Sequence, residues 1–395
     1  MFTSVDASVM RNINKQTVLS FIYRQDQTSR VAISQKTGLN RATVSSLVDE
    51  LIVEKFVTEV GLGTSKGGRK PILLAFNANA GYAIGMDVQI SHVYTVLINA
   101  AGQVMYEHRL EVGPSYQPLT TSLLLDALTQ EIDSARQNCP QSPHGIFGIG
   151  IGLPGLVNHD TGHVFYLPNL QITEWPIVEQ LSMRLNLPVY IDNDANCGAW
   201  AEFMATRITN LLFINAGIGV GAGMVIDGKL YRGRDGIAGE AGHTTISTIG
   251  VLCSCGNYGC WEQYASEQAL ARYLSEQGEI IAQPFLPDFV MTCVKRAGSG
   301  EKTYLAALRS LGESLGIGLS NLVNTLNPNT VYLGGTISEA SHITLPEIHR
   351  VLRHRAMWMN KDIPIRLSSL RSVAIGAAGL ALSKAIDILP QGVKM

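Results

Sequence analysis

The chain has 395 residues, 46% hydrophobic and 16% charged, which is too long for one ordinary core and suits two or three domains. A net charge of −2 excludes a general polyanion binder, yet residues 1–75 carry ten Lys/Arg against six Asp/Glu, a local +4, and the remainder a local −6. A basic head on an acidic body points to a nucleic-acid-binding module joined to something else. The N-terminus lacks the apolar core and cleavage site of a signal peptide, and no window holds eighteen uninterrupted apolar residues. A cytoplasmic protein with no membrane span is therefore expected. Of six cysteines, three cluster and Cys139, Cys197 and Cys293 are scattered, a pattern that favours a metalloprotein over a disulfide scaffold.

Residues 1–75 read as a winged helix-turn-helix. Val18, Leu19, Phe21 and Ile22 give an amphipathic helix between Asn14 and Tyr23. Ser29 can cap a short second helix, Gly38 supplies the turn, and Asn40 can cap a third with Val44, Leu47, Val48 and Leu51 inward. Asn40, Arg41, Thr43, Ser45 and Ser46 then lie where a recognition helix meets base edges. FVTEVGLG and KGGRKPILLAF follow as a hairpin, the wing, whose edge carries Lys66, Arg69 and Lys70 beside Gly67, Gly68 and Pro71. Such a basic tip can follow phosphates or enter a narrow minor groove. The helices alone would also suit a protein-binding hairpin; the full order of elements favours DNA.

Residues 76–200, completed by the C-terminal helix 372–395, read as a first α/β lobe. Three successive strands turn at Ala101-Gly102, a helix spans Leu119 to Asn138, and a buried strand at Ile146 to Ile151 runs into GLPGLVN. A strand at Pro188 to Ile191 delivers DNDAN at its C-terminal end, where α/β sheets bind ligands. Asp192 or Asp194 is equally a candidate helix N-cap. His92, His108, His144, His159 and His163 have no spaced partner and read as surface or core histidines.

Residues 201–371 read as a second lobe. Leu211 to Ile214 is a strand ending at NAGIGVGAG, where Gly217, Gly219, Gly221 and Gly223 let backbone approach a ligand or a neighbouring strand. Helices are expected at Ser266–Gln277 and, with interruptions, Tyr304–Leu326. TVYLGGTIS then gives a strand whose Gly334-Gly335 end suits a nucleotide or any tight strand-helix junction. Val373 to Ile388 reads as an Ala-rich helix returning to the first lobe. Between the glycine turn and the first of these helices, His243, Cys253, Cys255 and Cys260 make a Cys3His set, the ligand count of a closed structural zinc site. A redox pair is the alternative, but Cys-x-x-Cys is absent.

The motifs GIGLPGLV, IDNDAN, NAGIGVGAG, GEAGH, CSCGNYGCWE and VYLGG, in this order, resemble the ROK family of repressors, open reading frames and kinases. The N-terminal part looks like the repressor branch, and most like the xylose repressors of Gram-positive bacteria. The resemblance implies an actin-like, sugar-kinase-type pair of lobes behind the head. It implies sugar contacts from Asn193, Asp194, Glu240, His243, Glu262 and Gly155, and zinc on His243, Cys253, Cys255 and Cys260. His243 would give one ring nitrogen to metal and the other to sugar. Family kinases use the residue matching Asp194 as general base and carry Asp-x-Gly-Gly-Thr and Gly-Thr-Gly-x-Gly-Gly-Gly phosphate loops. This chain reads Asp87-Val88-Gln89-Ile90-Ser91 and Asn215-Ala216-Gly217-Ile218-Gly219-Val220-Gly221. Both glycines of the first motif and the threonine of the second are replaced, which argues against ATP turnover. The expectation is a non-enzymatic repressor, a dimer or tetramer, that binds operator DNA and responds to D-xylose, with glucose as runner-up. A sugar kinase with a DNA-binding head and a repressor governed by a partner protein are the rivals.

Overall fold

In the computed structural model, residues 7–64, 70–112, 120–281 and 288–388 are described. The head contains α1 (Ala7–Tyr23), β1 (Thr28–Ser29), α2 (Arg30–Thr37), α3 (Arg41–Val53), β2 (Val57–Leu62) and β3 (Ile72–Phe76), its sheet in the order β1-β3-β2. Local chemistry sets these bounds. Ser29 accepts from the Ala32 amide, Gly38 ends α2 at φ 75°, and Asn40 accepts from the Thr43 amide. Lys66 and Arg69, at the expected wing tip, lie outside the described residues. Lys70 is exposed beside β3.

The next segment forms β4 (Tyr82–Val88), β5 (His92–Asn99), β6 (Val104–Glu111), α4 (Thr121–Gln137) and β7 (Ile146–Leu153). It continues through β8 (Leu156–Asn158), β9 (His163–Leu167), β10 (Ile172–Trp175), α5 (Ile177–Leu185), β11 (Val189–Asn193) and α6 (Asp194–Thr206). The main sheet runs β11-β7-β4-β5-β6, with β4, β7 and β11 parallel and β5 and β6 antiparallel additions. The antiparallel sheet β10-β9-β8 is a further layer that the sequence reading does not contain.

The remainder forms β12 (Leu211–Ala216), β13 (Val220–Ile226), β14 (Lys229–Leu230), α7 (Glu262–Ala265), α8 (Glu267–Glu276), α9 (Phe289–Gly298) and α10 (Lys302–Leu326). It closes with β15 (Thr330–Gly334), α11 (Ser341–Arg355), β16 (Ile365–Leu367) and α12 (Ser372–Ile388). Its sheet runs β14-β13-β12-β15-β16. The expected interruptions in α10 are absent: the helix is continuous over 25 residues. Its glycines serve packing instead, since a Cβ on Gly318 would lie 2.1 Å from Trp261 and one on Gly316 2.7 Å from Val351.

Helix α12 ties the molecule together. A Cβ on Gly85 of β4 would lie 1.9 Å from the Ala374 carbonyl, and one on Gly376 would lie 1.7 Å from the Cys197 carbonyl of α6. Backbone therefore packs on backbone along this helix. Leu19, Leu51, Phe56 and Leu74 of the head share one core with Ala83, Phe147, Leu382 and Ile386. At its rim Ser20 donates to Asp387 (2.8 Å), Arg24 pairs with the same carboxylate (3.3 Å), and Phe56 stacks on His144 at 3.9 Å.

Candidate functional site

The C-terminal end of β11 turns directly into α6. The N-cap of α6 is Asn193, not Asp192 or Asp194: its Oδ1 accepts from the Ala195 and Asn196 amides, and its Nδ2 donates to the Gly155 carbonyl at 3.2 Å. Asp192 instead accepts two bonds from Arg232 (2.8 and 2.6 Å) and one from Asn196. It is buried, and these bonds anchor the loop after β14. Gly155 sits where a Cβ would come within 2.4 Å of the Tyr166 carbonyl. It supports Asn193 through its backbone.

Asp194 takes the position left by these contacts. One carboxylate oxygen accepts from the Ala195 amide and the other from Asn215 Nδ2, both at 2.8 Å. Burial raises its carboxyl to about 6, against the two hydrogen bonds, with a smaller push from Glu240. Asp87, at the end of β4, is raised to about 7, chiefly by burial, with Gln89 opposing and Asp194 adding. Glu262 accepts from the Val220 amide at 3.2 Å, and a Cβ on Gly219 would lie 2.6 Å from its carboxylate. Burial also raises Glu240, and His243 and Glu262 act on it in opposite directions. The structure thus brings Asp194, Glu240, His243 and Glu262 near one another, with Glu262 held against the glycine turn between β12 and β13. Hydrogen-bonding groups converging from several elements are the chemistry that polyhydroxylated ligands require.

The ligand atoms of His243, Cys253, Cys255 and Cys260 all lie within 4.8 Å of one another, so the cluster can hold a metal ion. His243 Nδ1 faces the Cys253 thiol at 3.5 Å, while its Nε2 faces Glu240 at 3.7 Å. One nitrogen toward the thiols and the other toward a carboxylate is the arrangement of a ligating histidine with an orienting partner. Three sulfurs and one imidazole are a soft, four-donor set that suits zinc.

In the head, Arg41 and Ser46 are exposed and Thr43 and Ser45 half-buried at the start of α3. Asn40 is committed through its Oδ1 to the cap. Ser46 accepts from Arg11 of α1 at 3.3 Å, so its hydroxyl is turned toward α1. Of the histidines read as surface or core residues, His108 pairs with buried Glu131 at 3.0 Å and His163 with Glu174 at 2.9 Å. Sequence reasoning missed Asn215, Arg232, Glu267 and Thr336, whose partners are distant in the chain.

With this geometry in hand, the profile of the ROK family matches residues 83–384. The chain belongs to the ROK family. It is 37% identical over 391 residues to a protein of Caldicellulosiruptor bescii named xylose repressor, covering 95% of this chain and 97% of that one. A solved ROK family transcriptional regulator, described as a homologue of the E. coli MLC protein, superposes with TM-score 0.77 at 25% identity over 97% of this chain and all of that one. A ROK family glucokinase from Streptomyces griseus, solved with glucose and AMPPNP, superposes with TM-score 0.66 at 27% identity over 76% of this chain and 99% of that one. The fold is the one expected: a winged helix-turn-helix ahead of a two-lobed, sugar-kinase-type α/β body. Among the described residues no helix is long and apolar enough to cross a membrane.

Proposed function

We propose that this chain is a sugar-responsive transcriptional repressor that holds operator DNA until a monosaccharide, D-xylose before glucose, enters the cleft. The single observation that carries this is α12: it lies in backbone contact with α6, which bears Asp194, and grips the head through Asp387. Both ends of a signalling path therefore sit on one rigid element. Asn193, Asp194, Glu240, His243 and Glu262 would bind sugar hydroxyls, with Gly155 supporting Asn193. Zinc on His243, Cys253, Cys255 and Cys260 would cross-link the 241–260 loop and set the position of Glu240 and Glu262.

Arg41, Thr43, Ser45, Ser46 and Asn40 would meet the operator through α3, and Lys66, Arg69 and Lys70 through the wing. A homodimer, alone or within a tetramer, would place two heads on a pseudo-palindrome. Sugar that binds one arrangement of the lobes better than the other shifts the spacing of the heads and lowers DNA affinity. Xylose is preferred because the relatives matched over nearly their full length include xylose repressors. The working division is 1–75 for the head, 76–200 with 372–395 for the first lobe, and 201–371 for the second.

Thermal melting against a panel of pentoses and hexoses tests the assignment. Xylose is expected to raise the melting temperature, and Asp194→Asn to remove most of that rise. No stabilisation by any sugar in the panel would refute it. A sugar kinase is the alternative that the retained Asp194 favours. Sugar-dependent ADP release in a coupled assay, lost in Asp194→Asn, would establish it.

A further inference from the structure

The second lobe contains a buried carboxyl group that neither the sugar cleft nor the metal cluster uses. Glu267, the first residue of α8, is only 4% exposed. Its amide donates to the Gly217 carbonyl at 2.8 Å, and its carboxylate accepts from the hydroxyl of Thr336. Thr336 follows Gly334-Gly335 at the end of β15, which pairs in parallel with β12 so that Gly334 lies opposite Asn215. Three segments distant in sequence therefore converge: the glycine turn after β12, the glycine pair after β15 and the start of α8. A Cβ built on Gly217 would lie 3.2 Å from the Thr336 hydroxyl and 3.9 Å from the Glu267 carboxylate.

Glycine turns at the C-terminal ends of parallel strands, facing a helix start, are where an α/β sheet receives phosphate. Here an acidic side chain already stands at that point. Glu339, in the turn after Thr336, adds a second negative field on Glu267. Burial lifts the Glu267 carboxyl to about 7, with the Thr336 bond opposing the rise. The first lobe repeats the motif. At the corresponding turn between β4 and β5, Gln89 donates to buried Asp87 at 2.7 Å and closes it from within.

We propose that Glu267, held by Thr336, is a specificity-determining residue that shuts the glycine turn of the second lobe to phosphate-bearing ligands, leaving the cleft responsive to a neutral sugar alone. The chain keeps Gly217, Gly219 and the Gly334-Gly335 pair but fills the space they would offer to an anion. A nucleotide arriving there would meet the Glu267 side chain, pinned by Thr336, in its path, and its ionised fraction would add repulsion. The inference builds on the reading of the cleft as sugar-responsive, and nucleotide binding and stabilisation by xylose are measured separately so that either can fail alone.

The test is calorimetric titration of the full chain with Mg-ADP, comparing wild type, Glu267→Gln and Glu267→Gly. Each variant is first checked for unchanged zinc content and unchanged stabilisation by xylose. Because Glu267→Gly removes both the blocking side chain and its ionised fraction, it is expected to bind ADP at least about tenfold more tightly than wild type. Glu267→Gln, which removes the charge but keeps the bulk, is expected to gain less. If the glycine variant fails to fold, the near-isosteric Gln variant decides, and any gain in ADP affinity supports the proposal. Folded variants that bind ADP no better than wild type would overturn it, as would wild type binding ADP as tightly as Glu267→Gly.

Discussion

In the first lobe β4, β5 and β6 form an antiparallel meander, and β4 continues in parallel to β7 and β11. In the second, β12, β13 and β14 form the same meander, and β12 continues in parallel to β15 and β16. One plan thus occurs twice, and the copies are dressed differently. The first has α12 and the DNA head packed on it through a common apolar core. The second has the loop with the Cys3His cluster and the glutamates of the cleft. Helix α6 lies between them: its Cys197 carbonyl would be 1.7 Å from a Cβ on Gly376 of α12, and its Ala195 carbonyl 2.1 Å from one on Gly223 of β13. The difference teaches that, on the proposed function, sensing and gripping would sit on separate copies of one scaffold, with the helix that carries Asp194 packed between them.

Metal removal should separate the copies most sharply. Structural zinc sites contribute on the order of 10 kcal/mol to folding of their own segment. Chelation, or Cys260→Ala, is therefore expected to abolish stabilisation by xylose. The head core does not include the loop, so operator binding should remain. Xylose-induced stabilisation that survives in metal-free protein would break the comparison. Next in size is packing in the first copy. Gly85→Ala drives a methyl into the Ala374 carbonyl, which is 1.9 Å from the new Cβ position, and overpacking of this kind costs about 3 kcal/mol. Gly102→Ala, with nothing within 4 Å at φ 79°, should cost about 1 kcal/mol, from backbone strain alone. Equal losses in denaturant unfolding would remove α12 from its proposed role as the rigid tie.

Proton linkage sharpens the view of the cleft. Burial raises Asp87 from 3.8 to about 7 and Asp194 from 3.8 to about 6. A folded-state value above the unfolded one means the folded protein holds the proton more tightly. The stabilisation is then complete below 3.8 and is lost as pH climbs through about 6 and 7. Asp87→Asn should flatten that decline in a melting series, and an unchanged slope would contradict a buried Asp87 carboxyl that holds its proton in the folded state. The smallest effect is expected at the head. Asn40→Ala removes the cap of α3 and should cost about 1 kcal/mol, weakening operator binding while leaving xylose stabilisation untouched.

The head was legible in the sequence because its determinants are local: Ser29, Gly38 and Asn40 act within four residues of where they stand. The cysteine cluster was legible for the same reason. Contacts between segments distant in the chain were not. Asp194 meets Asn215 from 21 residues away, Asp192 meets Arg232 from 40, and Glu267 meets Thr336 from 69. Topology alone brings these together, and no local pattern encodes it. In DNDAN, Asp192, Asn193 and Asp194 are all good capping residues, so only the paths of β11 and the loop after β14 decide which one caps. The short strands β8 to β10 lack a sustained alternation of apolar and polar residues and so escaped notice.

Fluorescence anisotropy of labelled operator DNA bound to the zinc-loaded chain, titrated with D-xylose, tests the central claim most directly. Saturable loss of DNA affinity in wild type, absent in Asp194→Asn, is the predicted result. Operator affinity that stays constant at saturating xylose and glucose, in protein that those sugars demonstrably stabilise against melting, would contradict it.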